Sequence, residues 1–174
     1  MGAQHGALYR LEPLAKQHDR AGFHCAAESL DLYLKTQASQ DMRRKANAVF
    51  VLVPQEEPGR IAGYFTLCAY GLAPGVVPEA VRKLIPRYPM VSATLLGRLA
   101  VDVQFQGQGL GAILLAKALR SAYDSSAQVG SSMVVVDALD ERAARFYAAH
   151  GFIQLPESKR LILPMQTIGT AFPS

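Results

Sequence analysis

Apolar residues recur with two different periods along this chain, and the switches between the periods lay out its elements. Tyr9 to Leu14 reads as a short first strand. From Glu28 to Met42 the spacing becomes helical, with Leu30, Tyr33, Leu34 and Ala38 at i, i+3, i+4 and i+8 on one apolar face. Ala48 to Val53 and Arg60 to Tyr70 are β-rich runs, joined by Pro54-Gln55-Glu56-Glu57-Pro58-Gly59, a hairpin connection. Pro78 to Ile85 predicts a short helix, Ser92 to Val101 a central strand, and Gly109 to Asp124 an amphipathic helix. Met133 to Val136 is a buried strand, and Glu141 to His150 a helix with Asp140 as N-cap and Gly151 as left-handed stop. Phe152 to Leu155 and Lys159 to Leu163 would close the sheet. This alternation predicts an α/β (α+β layered) fold, a central mixed sheet with helices on both faces.

Composition narrows the class. A chain of 174 residues, 50% hydrophobic, is long enough for one buried core, so a single domain over 1–174 is expected. No charge falls between Arg60 and Glu79, yet Gly63, Gly71, Pro74, Gly75 and Pro78 interrupt that run, which reads as strand plus loop rather than a membrane span. Met1 to Arg10 has no apolar core for a signal peptide, and residue six is Gly where a myristoylation site has Ser or Thr, so a cytoplasmic location is expected. Cys25 and Cys68 give little basis for a disulfide or a metal site, and no metal is expected. A net charge of +4 is moderate. Its carriers fall in clusters, Arg43-Arg44-Lys45, Arg82-Lys83 with Arg87, Lys117 with Arg120, Arg142 with Arg145, and Lys159-Arg160, each of which reads first as an ordinary solvated helix face and only second as part of a binding surface.

The chemistry concentrates where the central strand meets the amphipathic helix. The first turn of a helix carries N–H groups without intrahelical partners, and the macrodipole adds about half a positive charge there, so a pyrophosphate can dock. Gly107, Gly109 and Gly111 have no Cβ and can adopt left-handed angles close to a phosphate. On the residues alone, a tight turn with nothing bound is an equal reading. A Walker A loop would end in Gly-Lys-Ser/Thr, and a Rossmann fingerprint is G-x-G-x-x-G; the spacing here is G-x-G-x-G, which disfavours both.

Gln106-Gly107-Gln108-Gly109-Leu110-Gly111 resembles the acetyl-CoA segment, Gln/Arg-x-x-Gly-x-Gly/Ala, of the GNAT acetyltransferases. Met133-Val134-Val135-Val136-Asp137-Ala138, followed by Ala143 to Phe152 with Phe146-Tyr147 and Gly151-Phe152, resembles the strand, helix and Phe-Tyr-x-x-x-Gly-Phe signature of the same superfamily. The resemblance implies a GNAT fold, with Leu99, Ala100, Val101, Gln106, Gly107, Gln108, Gly109, Leu110, Gly111 and Asp137 at acetyl-CoA.

Acetyl transfer needs a donor for the developing oxyanion, worth about 3 to 4 kcal/mol when removed, and a proton for the departing thiolate. The resemblance assigns the first to the main-chain N–H at Val101 and the second to Tyr147; helix spacing alone would place Phe146 and Tyr147 in the core. Tyr64 and Tyr123 are secondary candidates. No general base stands out: Asp102 and Asp137 are as readily turn or cap residues, and His5, His18, His24 and His150 form no pattern, His150 being better explained as a favourable charge at a helix C-terminus. An α-amine, near pKa 7.7 to 8.0 when free and lower when its carboxyl is esterified, needs less help than a lysine at about 10.4.

Phe23-His24-Cys25, Leu30-Asp31-Leu32-Tyr33-Leu34, Ala38-Ser39-Gln40-Asp41 and Leu96-Gly97-Arg98-Leu99-Ala100-Val101-Asp102 resemble a narrower group, the GNAT toxins of bacterial toxin-antitoxin modules, over roughly Phe23 to Phe152. That implies acetylation of the α-amine of an aminoacyl-tRNA, a homodimer, and a ribbon-helix-helix antitoxin. Arg98, Arg43, Arg44, Lys45, Arg142 and Arg145 become candidates for contact with charged tRNA. Many members have Gly after the opening Cys; this chain has Ala26, which bears on the local turn. An acetyltransferase of a small amine or protein N-terminus, and a non-catalytic acyl-CoA-binding module, are the alternatives.

Overall fold

The computed structural model describes residues 8–172. The opening segment read for a leader, including His5 and the Gly at position six, lies mostly outside the described residues. Seven strands form one mixed sheet in the order β1-β2-β3-β4-β5-β7-β6. They are β1 (Tyr9–Pro13), β2 (Ala48–Pro54), β3 (Gly63–Leu72), β4 (Val91–Val101), β5 (Met133–Asp137), β6 (Ile153–Gln154) and β7 (Arg160–Pro164). β4 and β5 are parallel; β1 with β2, β2 with β3, β5 with β7, and β6 with β7 are antiparallel. The helices are α1 (Glu28–Thr36), α2 (Ala38–Arg43), α3 (Glu79–Arg82), α4 (Leu110–Ser125), α5 (Glu141–Ala149) and α6 (Met165–Ala171). Two units share these elements, one made of the chain up to Leu67 with Arg98–Ala118, the other of Cys68–Gly97 with the chain from Leu119 onward.

In the first unit, alternate residues of β2, Val49, Val51 and Val53, pack with Phe23, Leu34, Ala38, Ile61 and Tyr64, all of them buried. The helical face anticipated from Leu30, Tyr33, Leu34 and Ala38 is therefore the one that enters the core. The single helix expected over Glu28 to Met42 is broken at Gln37, whose φ is −120°. Just before the break, the Thr36 hydroxyl donates to the Leu32 carbonyl at 2.7 Å, a back-bond that bends helices. Gly63 opens β3 where a Cβ would stand 2.9 Å from the Ala100 carbonyl oxygen, so only glycine lets this strand lie against the end of β4.

In the second unit, Met133 and Val135 of β5 join Leu72, Val77, Val81, Val91, Leu155 and Ile162 in a buried cluster. Val134 and Val136 are equally buried, the continuous apolar run of a strand covered on both sides. Asp140 caps α5 by accepting the Ala143 N–H at 2.8 Å, and Gly151 stops it at φ +94°. The helix expected over Pro78 to Ile85 is only Glu79–Arg82. α6 was not anticipated: its seven residues include Gly and two Thr, poor helix formers, and packing of Met165 and Ile168 overrides that propensity.

The departure at Ala26 has a visible cost. Ala26 sits at φ +72°, a left-handed conformation that glycine adopts freely. Ala26→Gly should therefore stabilise the protein by about 0.5 to 1 kcal/mol, a rise in urea midpoint at unchanged slope.

Candidate active site

The end of β4 and the loop after it are fixed by side chains that reach backward. Asp102 is buried, at 4% exposure. Its N–H donates to the Ala62 carbonyl at 2.9 Å, and its carboxylate accepts the N–H of Gln104 at 2.9 Å and that of His24 at 3.0 Å. Gln106 turns its amide inward, donating to the Val101 carbonyl at 2.8 Å and the Cys25 carbonyl at 3.3 Å. Asp102 and Gln106 thus brace the loop that Val101 enters, and Asp102 is the cap residue that was one of its two readings.

Beyond Gln106 the chain turns through Gly107 and Gly109, each at φ +79°, with open space where a Cβ would project. Gly111 departs from expectation: it has no positive φ and lies within the first turn of α4. Ile113 makes the helix's opening bond to the Gly109 carbonyl at 3.3 Å. By helix geometry the N–H groups of Leu110, Gly111 and Ala112 precede that bond and lack intrahelical partners. Leu110 is buried and anchors the turn, whereas Gln108 is exposed. An exposed, positive-dipole helix start behind two left-handed glycines fits the diphosphate of acetyl-CoA.

Arg98 lies on the same unit, half-buried, with its guanidinium carbon 3.4 Å from the centre of the Tyr33 ring. The Tyr33 hydroxyl donates to Asp41 at 2.7 Å, and Gln37 and Asn47 donate to the same carboxylate at 3.0 and 3.1 Å. Those donors hold the Asp41 carboxyl below the ordinary range. Burial, reinforced by Asp41, pushes the Tyr33 phenol up to about 12. This network ends α2, from which Arg43, Arg44 and Lys45 extend exposed, Lys45 at φ +60°. Tyr64 is fully buried and its hydroxyl is spent on the Leu30 carbonyl at 2.6 Å, so it does not present a proton donor.

In the second unit, Tyr147 projects from α5 between Phe146 and Phe152, edge-on, with ring centres 5.3 and 5.4 Å away. No hydrogen bond to another described residue occupies its hydroxyl. Burial pushes its pKa up to about 12, so the phenol keeps its proton at neutral pH. Asp137 gives both carboxylate oxygens to Arg160, at 2.8 and 3.0 Å, which leaves its backbone, not its side chain, for a ligand. Arg142 and Arg145 are exposed, and Arg145 meets a solvated partner, Glu141, at 3.8 Å. Tyr123 packs against Gly169 and Phe172.

The histidines separate cleanly. His18 is buried and accepts the Ala15 N–H at Nδ1, 3.0 Å. His150 contacts the Phe146 carbonyl at 2.8 Å, a C-terminal cap of α5. His24 pairs with Asp31, Nδ1 to Oδ2 2.9 Å, an arrangement the linear pattern hides because the left-handed turn at Ala26 folds one residue back on the other. Burial alone would raise the Asp31 carboxyl, but hydrogen bonds from Cys25 and His24 outweigh it and hold the group below its ordinary value. The stability this confers is complete above about pH 4 and lost as pH falls through the lowered native value. In urea titrations, Asp31→Asn should therefore lose less stability than the parent between about pH 4 and pH 2.

Comparison with known proteins matches residues 46–154, more than half of the chain, to the acetyltransferase (GNAT) domain. A tRNA-acetylating toxin of Mycobacterium tuberculosis is 32% identical over 134 residues, covering 77% of this chain and 78% of that protein. The structure of AtaT complexed with acetyl-methionyl-tRNAfMet superposes with a TM-score of 0.86 at 32% identity, over 95% of this chain and 99% of that one. A tyrosine-to-phenylalanine variant of the toxin AtaT, bound to the C-terminus of the antitoxin AtaR and acetyl-CoA, gives a TM-score of 0.80 at 29% identity, over 96% and 99% of the two chains. With the glycine turn at the head of α4 and the Phe-Tyr helix both in place, the chain belongs to the GNAT acetyltransferases.

Proposed function

We propose that this acetyltransferase moves the acetyl group of acetyl-CoA onto the α-amine of the amino acid carried by a charged tRNA, and so acts as a toxin that blocks translation. The likeness to AtaT over 95% of the chain, in a complex holding acetylated aminoacyl-tRNA, carries this reading. Residues 1–174 work as one acetyltransferase domain in the cytoplasm. A homodimer and a ribbon-helix-helix antitoxin complete the assembly; the antitoxin-bound AtaT structure supports the antitoxin.

Acetyl-CoA supplies an activated acyl group on a thioester. The protein's part is to bind, polarise and protonate. Gly107 and Gly109 let the backbone approach the diphosphate, and the free N–H groups at the head of α4 receive its charge. The Val101 N–H stabilises negative charge on the acyl oxygen, with Leu99 and Ala100 flanking it along β4. Tyr147, protonated up to about pH 12, supplies the proton for the thiolate. Arg98, held over the Tyr33 ring, and the exposed Arg43, Arg44, Lys45, Arg142 and Arg145 supply charge for the tRNA backbone.

The decisive experiment is transfer of labelled acetyl to total charged tRNA. Label on aminoacyl-tRNA is expected; label on small amines or protein N-termini alone would overturn the reading. Tyr147→Phe keeps the ring packing and should lower turnover by about 10²- to 10³-fold with acetyl-CoA affinity nearly unchanged. Gly109→Val forces a β-branched residue into a left-handed turn and fills the open space above it, and should weaken acetyl-CoA binding at least about tenfold in calorimetry. Removing Arg43 or Arg44 should reduce the salt dependence of tRNA binding by about one unit of slope each.

A further inference from the structure

The proposed machinery binds, polarises and protonates, but no part of it takes the proton that an attacking ammonium must lose. His24 is placed to do so. Its side chain is 66% exposed, while that of its partner Asp31 is 8% exposed. The second oxygen of Asp31 accepts the Cys25 N–H at 2.9 Å, so the carboxylate is fixed from both sides. The His24 backbone is fixed as well: its N–H donates to Asp102 at 3.0 Å and its carbonyl accepts the Val103 N–H at 2.8 Å. With Gln106 bonded to the Cys25 carbonyl, the backbone that carries the imidazole is tied to the loop that joins Val101 to Gly107.

We propose that the His24–Asp31 dyad is the proton acceptor for the incoming amine. This rests on the acetyl-transfer reading above. A carboxylate at Nδ1 selects the tautomer with the proton there and leaves the Nε2 lone pair free to accept a proton. Asp31, held below the ordinary carboxyl range, stays anionic at neutral pH and stabilises the imidazolium once it forms. The other titratable neighbour, the Cys25 thiol, is pushed up to about 11 chiefly by burial and is neutral; Asp102 meets His24 only at the backbone. In the step itself the acceptor ammonium gives one proton to Nε2. The freed electron pair forms the C–N bond as the thioester C–S bond breaks, the thiolate receives the Tyr147 proton, the nitrogen sheds its second proton to solvent and the Tyr147 phenolate regains one from it, and the imidazolium releases its own to water.

The test uses the full chain with two acceptors, total aminoacyl-tRNA and an amino-acid ethyl ester. His24→Gln alters an exposed side chain and should fold normally, with acetyl-CoA affinity by calorimetry within twofold of the parent. Its turnover should fall at least tenfold at neutral pH with KM little changed, and added imidazole should restore activity to His24→Ala. In the free protein, nitrogen NMR of labelled histidine should show His24 protonated at Nδ1, and Asp31→Asn should lose that preference. Turnover of His24→Gln within twofold of the parent, or a loss that imidazole does not rescue, overturns the dyad. Transfer by the parent to the ester but not to charged tRNA overturns the tRNA reading instead, while the variants still decide the dyad on the ester.

Discussion

One buried carboxylate organises the chemical end of the first unit. Asp102 directly follows β4 and ties together chain segments far apart in sequence: its backbone N–H donates to Ala62 before β3, and its carboxylate accepts the N–H groups of His24 before α1 and of Gln104 in the turn ahead of the glycines. A carboxylate can hold several N–H donors at once because it accepts at both oxygens. Replacing the carboxylate with an apolar side chain would leave the His24 and Gln104 N–H groups without their acceptor, and unsatisfied backbone donors are costly. The exit of β4, the start of the glycine turn and the approach to α1 are therefore a single hydrogen-bonded object. That is why the main-chain geometry at Val101 and the side-chain geometry at His24 and Asp31 belong to the same problem.

Much of this was legible in the chain itself, for identifiable reasons. Local signals are dense where one residue type has one physical use: left-handed Gly107 and Gly109, the Asp140 cap, the Gly151 stop, and the alternating valines of β2. The fold follows from these because each fixes a boundary or a face. What stayed hidden required contacts across long sequence separations. Asp102 reads as a turn residue until Ala62 and His24 are brought to it, and the contact of Arg98 with Tyr33, whose hydroxyl holds Asp41, depends on a strand and a helix bend that no window of the sequence spans. Gly111, grouped with its neighbours by type, has an ordinary helical place, since two left-handed residues suffice for the turn. α6 escaped notice because its composition argues against a helix and only its burial explains it.

Basic residues here carry unequal weight. Arg98 is held in one orientation over an aromatic ring, at a distance where the cation and the π face attract, and it loses little freedom on meeting a ligand. Arg43, Arg44 and Lys45 of the same unit extend into solvent and must be ordered when bound. On the proposed tRNA reading, the braced Arg98 would set register and the solvent-exposed charges would add affinity.

Cys25 lies next to His24, a position that in another setting would invite thiolate chemistry. Here burial and the adjacent anion keep its sulfur as a neutral thiol, up to about 11, with Ala27 accepting its hydrogen at 3.5 Å. Electrophiles and oxidants act on thiolates, so this sulfur is shielded by protonation as much as by enclosure. The enzyme can thus keep a cysteine beside its proposed proton acceptor without tying its activity to the redox state of the cell.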